Sequence, residues 1–395
     1  MKKTTIFLVA LLLSLAGLTA HADEWVGTWA TAPEFTGQGD MPQHTTLTDN
    51  SIRQIVHVSI GGDVLRLQLS NEFSREAVEI RSVYIADAKD STAIDQRTVR
   101  YLTFAGKRNV TIEGGQALFS DEMRYALKPL QCLSITINYA KTPQNATSHR
   151  GSRTTSYIMK GEAKPKKPFV VAEALDHWYN IAAIDVKAEA PTCWAVLGNS
   201  ITDGRGTTTN LQNRWTDVCA EALEGKVSIL NLGIGGNCVL RGGLSEPALK
   251  RFDRDIMSQR GITGIVIYEG INDIGSSRSV EKTEKELIEA YELFIGKARA
   301  KGLKVVGATI TPIGNTMYWS YYHEALRQTI NDWIRNSGKF DAVIDFDQVL
   351  SDPNKPTWMR ADYQYDWLHP NAVGYKAMGL KAAEVLAPMS KMFCD

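Results

Sequence analysis

The sequence predicts two architectures in series, an antiparallel β-sandwich over residues 23–185 and a parallel α/β sheet over residues 190–395. Three observations carry this. The first half holds short runs in which apolar and polar residues alternate with a period of two, broken by Gly and Asn, and no helical pattern of any length. In the second half, apolar runs of strand length alternate strictly with helical stretches, the pattern of strands lying parallel in one sheet with helices on both faces. At 395 residues the chain is also longer than one hydrophobic core usually serves.

The N-terminus reads as a removed export signal over residues 1–22. Lys2 and Lys3 precede an apolar run from Ile6 to Leu18, and Ala20-His21-Ala22 offers the small-x-small pattern cut by a signal peptidase. The run is short for a bilayer span, no cysteine stands at the cut for lipid attachment, and no later stretch is apolar enough for a membrane helix. A periplasmic or secreted protein beginning near Asp23 is therefore expected. Without the two leader lysines, 42 of the 44 basic side chains remain against 44 acidic ones. Such a balance argues against nucleic acid or another polyanion as partner. Cys132, Cys193, Cys219, Cys238 and Cys394 are an odd set without C-x-x-C spacing, which speaks against a zinc site or a disulfide framework. A Cys219–Cys238 bridge stays open, with solitary buried thiols preferred.

In the first half, Trp25-Val26-Gly27-Thr28-Trp29 reads as an opening strand anchored in the core, or as aromatics offered to a glycan. Alternation from Ser51 to Ile60, the break at Gly61-Gly62 and its resumption from Val64 to Leu69 read as a hairpin. Further strands are expected at Val78–Ile85, Arg97–Phe104, Asn109–Ile112 and Leu133–Tyr139. Pro143–Lys167, rich in Ser, Thr, Gly, Lys and Pro, reads as loop and connector. His57 on a strand and the Asp176-His177 neighbours assemble into no catalytic set.

In the second half, strands are expected at Cys193–Leu197, Val227–Leu232, Gly264–Tyr268, Lys304–Ile310 and Ala342–Phe346. Helices are expected at Arg214–Leu223, Val280–Ala300, Tyr321–Asn336 and Ala372–Leu386, the first three closing on Gly225, Gly302 and Gly338. Ligands of such sheets bind beyond the carboxyl ends of the strands, so chemistry is sought in the loops that follow them. The first strand ends in Gly198-Asn199-Ser200. The second ends in Asn231-Leu232-Gly233-Ile234-Gly235-Gly236-Asn237, where Cys238 replaces the third glycine of a dinucleotide fingerprint. Glu269-Gly270-Ile271-Asn272-Asp273 follows the third, and Asp366-Trp367-Leu368-His369-Pro370 precedes the last helix. Singly these read as a turn, a cap and a helix start; together they lie along the functional edge of one sheet.

The chemistry they fit is acyl transfer. Ser200 needs a base, for which His369 is the candidate, and Asp366 three residues earlier would hold the imidazole in the right tautomer. The N–H groups of Ser200 and Gly236 and the side-chain amide of Asn272 are candidate oxyanion donors. No metal or other cofactor is called for: His323-Glu324 lacks the second histidine of a zinc protease. The Gly-x-Ser-x-Gly elbow of α/β-hydrolases is missing.

On these residues the second half resembles an SGNH hydrolase of the GDSL esterase family, whose four blocks match Ser200, Gly236, Asn272 and Asp366 with His369, in the family order, over roughly residues 192–388. The resemblance implies a flavodoxin-like three-layer α/β/α sheet and serine esterase activity. Trp25–Thr31, Ser51–Gly62 and Leu65–Asn71 resemble the β-rich domain preceding the hydrolase in certain secreted bacterial acylhydrolases associated with xylan use. That likeness points to removal of acetyl groups from plant polysaccharide. One position departs from the family: Asn199 stands where it has Asp, dropping a charge beside the nucleophile while keeping an acceptor.

For the substrate, Tyr318 and Trp319 after the fourth strand, and Trp367 before His369, either line a sugar cleft or roof the core. Neither region has the long apolar stripe of a lipid groove, so an acylated carbohydrate is preferred as partner over a long-chain lipid. Lipase, arylesterase or thioesterase activity is the alternative among enzymes. A glycan-binding protein with a decayed hydrolase half is the alternative of another class.

Overall fold

The computed structural model describes residues 24–189 and 191–390; the export signal read at residues 1–22 and Cys394 lie outside them. The first half is built from two antiparallel sheets. In one, Glu24–Ala30, Ile181–Ala188 and Gly62–Ser70 lie side by side, and Gly62–Ser70 also pairs with Ala117–Phe119 and Met123–Leu127. The other runs Glu173–Leu175, Ser156–Lys160, Asn50–His57, Cys132–Lys141, Val78–Asp90, Ala93–Ile94. Their alternating apolar positions, among them Ile52, Val56, Leu65, Leu67, Ile135 and Ile137, are buried in the core.

Two expectations for this half are corrected. Asn50–His57 and Gly62–Ser70 form no hairpin; they belong to different sheets. Alternation gave each strand correctly, but the link between them is anchored elsewhere: Val58 N–H donates to Gln131 O and Ser59 N–H to Thr28 O. Backbone partners, invisible in a periodicity, carry the chain across. The Pro143–Lys167 connector also contains two short strands, Ser148–His149 and Ser156–Lys160. Trp29 is buried edge-on against Trp178 at 5.1 Å, a core anchor as read, while Trp25 is partly exposed beneath Arg66.

The second half is a parallel five-stranded sheet in the order Ser228–Gly233, Cys193–Gly198, Gly264–Tyr268, Lys304–Ala308, Ala342–Ile344. That order, second-first-third-fourth-fifth, is the flavodoxin-like winding, whose switch point lies between the first and third strands. The helices Val280–Ala300, Tyr321–Asn336 and Ala372–Leu386 fall where periodicity places them, and the first is Trp215–Ala222. Trp215–Ala222 packs on Ala372–Leu386, and Val280–Ala300 on Tyr321–Asn336.

One hydrophobic cluster spans both halves. The edge strand Ser228–Gly233 is covered by the β-sandwich: Ser228 Oγ donates to Gly27 O at 2.6 Å, and Ser59 Oγ bonds both Ile229 O and Ile229 N–H. An edge that would otherwise be open to pairing with another chain is thereby closed. Cys132, Cys193, Cys219 and Cys238 are free thiols.

Candidate active site

The strand Cys193–Gly198 is buried throughout and delivers Ser200 to the head of a short helix, Ser200–Asp203. Gly198 is required by the close return of that helix, since a Cβ there would run into Thr202. Asn199 caps it, its Oδ1 accepting Ile201 N–H at 3.0 Å. The Asn199 amide faces Glu269 Oε2 at 3.3 Å and Tyr268 O at 3.5 Å. Two acceptors on that side suit Asn, whose Nδ2 donates, better than Asp.

Ser200 Oγ lies 2.8 Å from His369 Nε2. On the far side of the ring, His369 Nδ1 is 2.9 Å from both carboxylate oxygens of Asp366. A carboxylate only accepts, so Nδ1 carries the proton and Nε2 is free to accept from the Ser200 hydroxyl. Asp366 also accepts the backbone N–H of His369 at 2.8 Å. Burial works to raise the Asp366 carboxyl, but its hydrogen bonds with His369 and the charge there outweigh burial and hold it below the usual carboxylate range. The His369 imidazole is lowered, chiefly by burial, against the pull of Asp366 and with the charges of Arg205 and Arg153 adding to the lowering. The imidazole is thus kept neutral.

Beside Ser200, Gly236 turns with φ +66°, a conformation that favours glycine. The Asn272 amide is fixed at both ends: Nδ2 donates to Asn237 O at 2.7 Å and Oδ1 accepts from Tyr318 Oη at 2.8 Å. That leaves the second Nδ2 hydrogen for a ligand. Asp273 holds the glycine loop by accepting Val239 N–H and Leu240 N–H at 2.7 and 3.0 Å, and burial pushes its carboxyl up to about 6.

Residues 196–377 match the GDSL-like Lipase/Acylhydrolase family. This half of the chain belongs to that family and is a carboxylic ester hydrolase domain. Among solved structures, the chain is similar to a member of the lipolytic protein G-D-S-L family from Veillonella parvula, at 21% identity over 49% of this chain and 97% of that one, with a TM-score of 0.36. It is also similar to a carbohydrate acetylesterase family member from Sinorhizobium meliloti, at 15% identity over 52% and 100% with a TM-score of 0.40. A third is the psychrotrophic esterase EstA from Pseudoalteromonas sp., at 15% over 49% and 96% with a TM-score of 0.37. No curated protein matches the chain.

Of the residues singled out in sequence, Ser200, Gly236, Asn272, His369 and Tyr318 line one cleft of about 380 Å³, with Asp366 behind the imidazole. Trp319 and Trp367 do not line it: Trp319 lies tilted against Tyr321 at the surface and Trp367 meets Trp358 edge to face at 5.4 Å. The GDSL-like domain is not alone there. Glu34, Asp40, Arg150, Gly151, Arg153 and His177 of the β-sandwich line the same cleft, a contribution that the sequence reading of the first half did not single out. The signal was present as the basic run His149-Arg150-Gly151-Ser152-Arg153, but it lies in a stretch whose composition reads as connector.

A second group missed in sequence is Arg251, fully buried beneath the site. Its Nε donates to Asn237 Oδ1 at 2.9 Å, Nη1 to Leu232 O at 2.9 Å and Nη2 to Gly198 O at 3.0 Å. Glu269 Oε1 stands 3.6 Å from Nη2. One guanidinium therefore ties together the ends of the three GDSL-domain strands that carry Ser200, Gly236 and Asn272. Burial pushes the Glu269 carboxyl up to about 8 against the opposing charge of Arg251. Among the described residues, no group of three or more His, Cys, Asp or Glu is placed to hold a metal ion.

Proposed function

We propose that the protein is a serine esterase that removes short acyl groups, acetyl above all, from a carbohydrate, with Ser200 as nucleophile, His369 as general base and acid, and Asp366 as its orienting partner. The observation that carries this is the unbroken relay from Ser200 Oγ to His369 Nε2 at 2.8 Å and from Nδ1 to Asp366 at 2.9 Å. Ser200 Oγ attacks the ester carbonyl while its proton passes to Nε2, and Asp366 stabilises the imidazolium. The oxyanion is met by Ser200 N–H, at a helix start where N–H groups lack intrahelical acceptors, by Gly236 N–H and by Asn272 Nδ2. The tetrahedral intermediate collapses as His369 returns the proton to the leaving alcohol, and water repeats the sequence to release the acid.

A short acyl group and a polar alcohol are favoured by the lining of the cleft. Its larger apolar side chains are Leu244, Leu368 and Tyr318, and most of the remainder is charged or polar. A long chain would find little surface to bury against. Hydrolysis of p-nitrophenyl acetate by wild type and by Ser200→Ala tests the mechanism; equal rates overturn it and favour a binding protein. A series of acyl chains from two to twelve carbons, set beside acetylated xylan, tests the substrate, and a preference for long chains would return a lipase instead.

A further inference from the structure

The wall that the β-sandwich gives the cleft is layered by charge. Glu34 and Asp203 are buried, at 1% and 2% exposure. Three cations cover them: Arg150 Nη2 lies 2.6 Å from Glu34 Oε1, Arg153 Nη2 lies 2.8 Å from Asp203 Oδ2, and His149 Nε2 lies 2.8 Å from Asp203 Oδ1. His149 Nδ1 faces the carbonyl of Ala32 at 2.9 Å. Both ring nitrogens thus meet acceptors, and both carry protons. Burial would depress this imidazole, but the charges of Asp203 and Glu34 and the hydrogen bond to Asp203 raise it.

Three positive groups therefore stand against two negative ones. Arg205 adds another guanidinium, 53% exposed and 3.9 Å from an Asp366 already engaged by His369. Asp40, also on the cleft, is the remaining negative group, and its carboxylate accepts the backbone N–H of Gly37 at 3.3 Å. The carboxylates Glu34 and Asp203 lie behind the guanidiniums, so a ligand beside Arg150, Arg153 and Arg205 meets groups that only donate and that match a carboxylate in shape and charge, with Asp40, among the described residues, the one carboxylate in front of them.

We propose that Arg150, Arg153 and Arg205 hold a carboxylate on the alcohol half of the substrate, so that the preferred ester is an O-acylated acidic glycan, with the acid on the acylated sugar or on the unit next to it. This rests on the esterase reading of Ser200. It gives the β-sandwich a direct part in specificity.

The test compares kcat/KM for an O-acetylated uronic acid oligosaccharide with that for a neutral O-acetylated xylo-oligosaccharide, in wild type, Arg205→Gln and Arg153→Lys. Wild type is expected to favour the acidic ester at least tenfold, mainly through KM, and to lose part of that preference as salt rises from 0.05 to 0.5 M. Arg205→Gln, an exposed position where folding is not at stake, lowers the acidic-to-neutral ratio about fivefold or more. Arg153→Lys keeps the charge on Asp203 but loses the planar fork, and lowers the ratio less. Equal handling of both esters by wild type, or a ratio that Arg205→Gln leaves unchanged because both substrates slow alike, overturns the proposal while leaving the esterase intact. Absence of Ser200-dependent hydrolysis of either ester overturns the esterase reading and this proposal with it.

Discussion

Replacing Arg251 by Met removes the guanidinium on which three strand ends converge while keeping most of the side-chain volume. The ion pairs suggest a heavy loss, since deleting one member of a buried pair costs about 3–5 kcal/mol. Here the charges have other outlets. Asp255 retains Arg254 Nε at 2.7 Å, and Glu269, already pushed up to about 8, sheds its charge by holding a proton. What remains is the loss of a donor at Gly198 O, Leu232 O and Asn237 Oδ1. Gly198 O keeps the Ile234 N–H at 3.1 Å; a buried acceptor left unpaired costs about 1–3 kcal/mol, and the other two at the low end give about 2 kcal/mol. Against a total of about 5–15 kcal/mol the variant still folds. At about 2–4 °C per kcal/mol for domains of 150–250 residues, the midpoint falls by about 4–8 °C. Activity suffers more than stability, because the same three ends position Ser200, Gly236 and Asn272. A loss in kcat approaching the factor of about 10² typical of one missing oxyanion donor is expected. Thermal unfolding and the kinetics of p-nitrophenyl acetate hydrolysis, measured well below the midpoint, check both. Wild-type kcat in a variant with a lowered midpoint would refute the positioning argument, and a wild-type midpoint would refute the energetic one.

Other outcomes follow from the same geometry. Because His369 is lowered and its neutral form is the base in the mechanism we propose, kcat/KM should fall on the acid side with a midpoint below the ordinary value of about 6.5; a limb centred above 7 would remove His369 from that role. Asn272→Ala should cost about 10²–10³ in turnover. Tyr318→Phe, which removes only the hydroxyl that orients the Asn272 amide, should cost less and act on kcat, so a loss as large as that of Asn272→Ala contradicts the assignment. Gly151→Ala drives a Cβ into the Asp203 carboxylate; overpacking costs about 1–3 kcal/mol, and both the unfolding midpoint and kcat should drop together. The folded state raises Glu269 above its unfolded value, so the stability it contributes is present in acid and is lost as pH rises toward about 8. Urea midpoints at pH 5, 7 and 9 should show that decline in wild type and a flatter line in Glu269→Gln; parallel lines would show that Glu269 does not titrate there.

Much of the GDSL-like half was legible in the residues because its signals are local. Val280–Ala300, Tyr321–Asn336 and Ala372–Leu386 follow from a 3.6-residue period between caps and glycines, and a buried parallel strand such as Gly264–Tyr268 is apolar at every position. Strict alternation then dictates which loops fall on the functional edge. Ser200, Gly236, Asn272 and Asp366 with His369 could therefore be placed together before any coordinates. The aromatic residues were less legible. Trp319 and Trp367 share their neighbourhood in sequence with Tyr318 and His369, yet nearness along the chain does not say which way a ring turns.

What the sequence alone determined is the order of elements, the burial of each strand and the set of groups at the sheet edge, all consequences of residue type and spacing. Only the tertiary structure decided that Asn50–His57 and Gly62–Ser70 go to separate sheets, that Arg251 ties three strand ends together, and that Arg150 and Arg153 reach the cleft from the other half of the chain. These depend on partners far away: Arg251 bonds Gly198 O across 53 positions and Arg153 bonds Asp203 across 50. Such contacts leave no period or motif, because a guanidinium meets its acceptors wherever the fold brings them. The residue beside the nucleophile illustrates the division. Asn199 appeared in sequence as a departure from the family Asp, and its reason lies in Glu269, 3.3 Å away and 70 positions on.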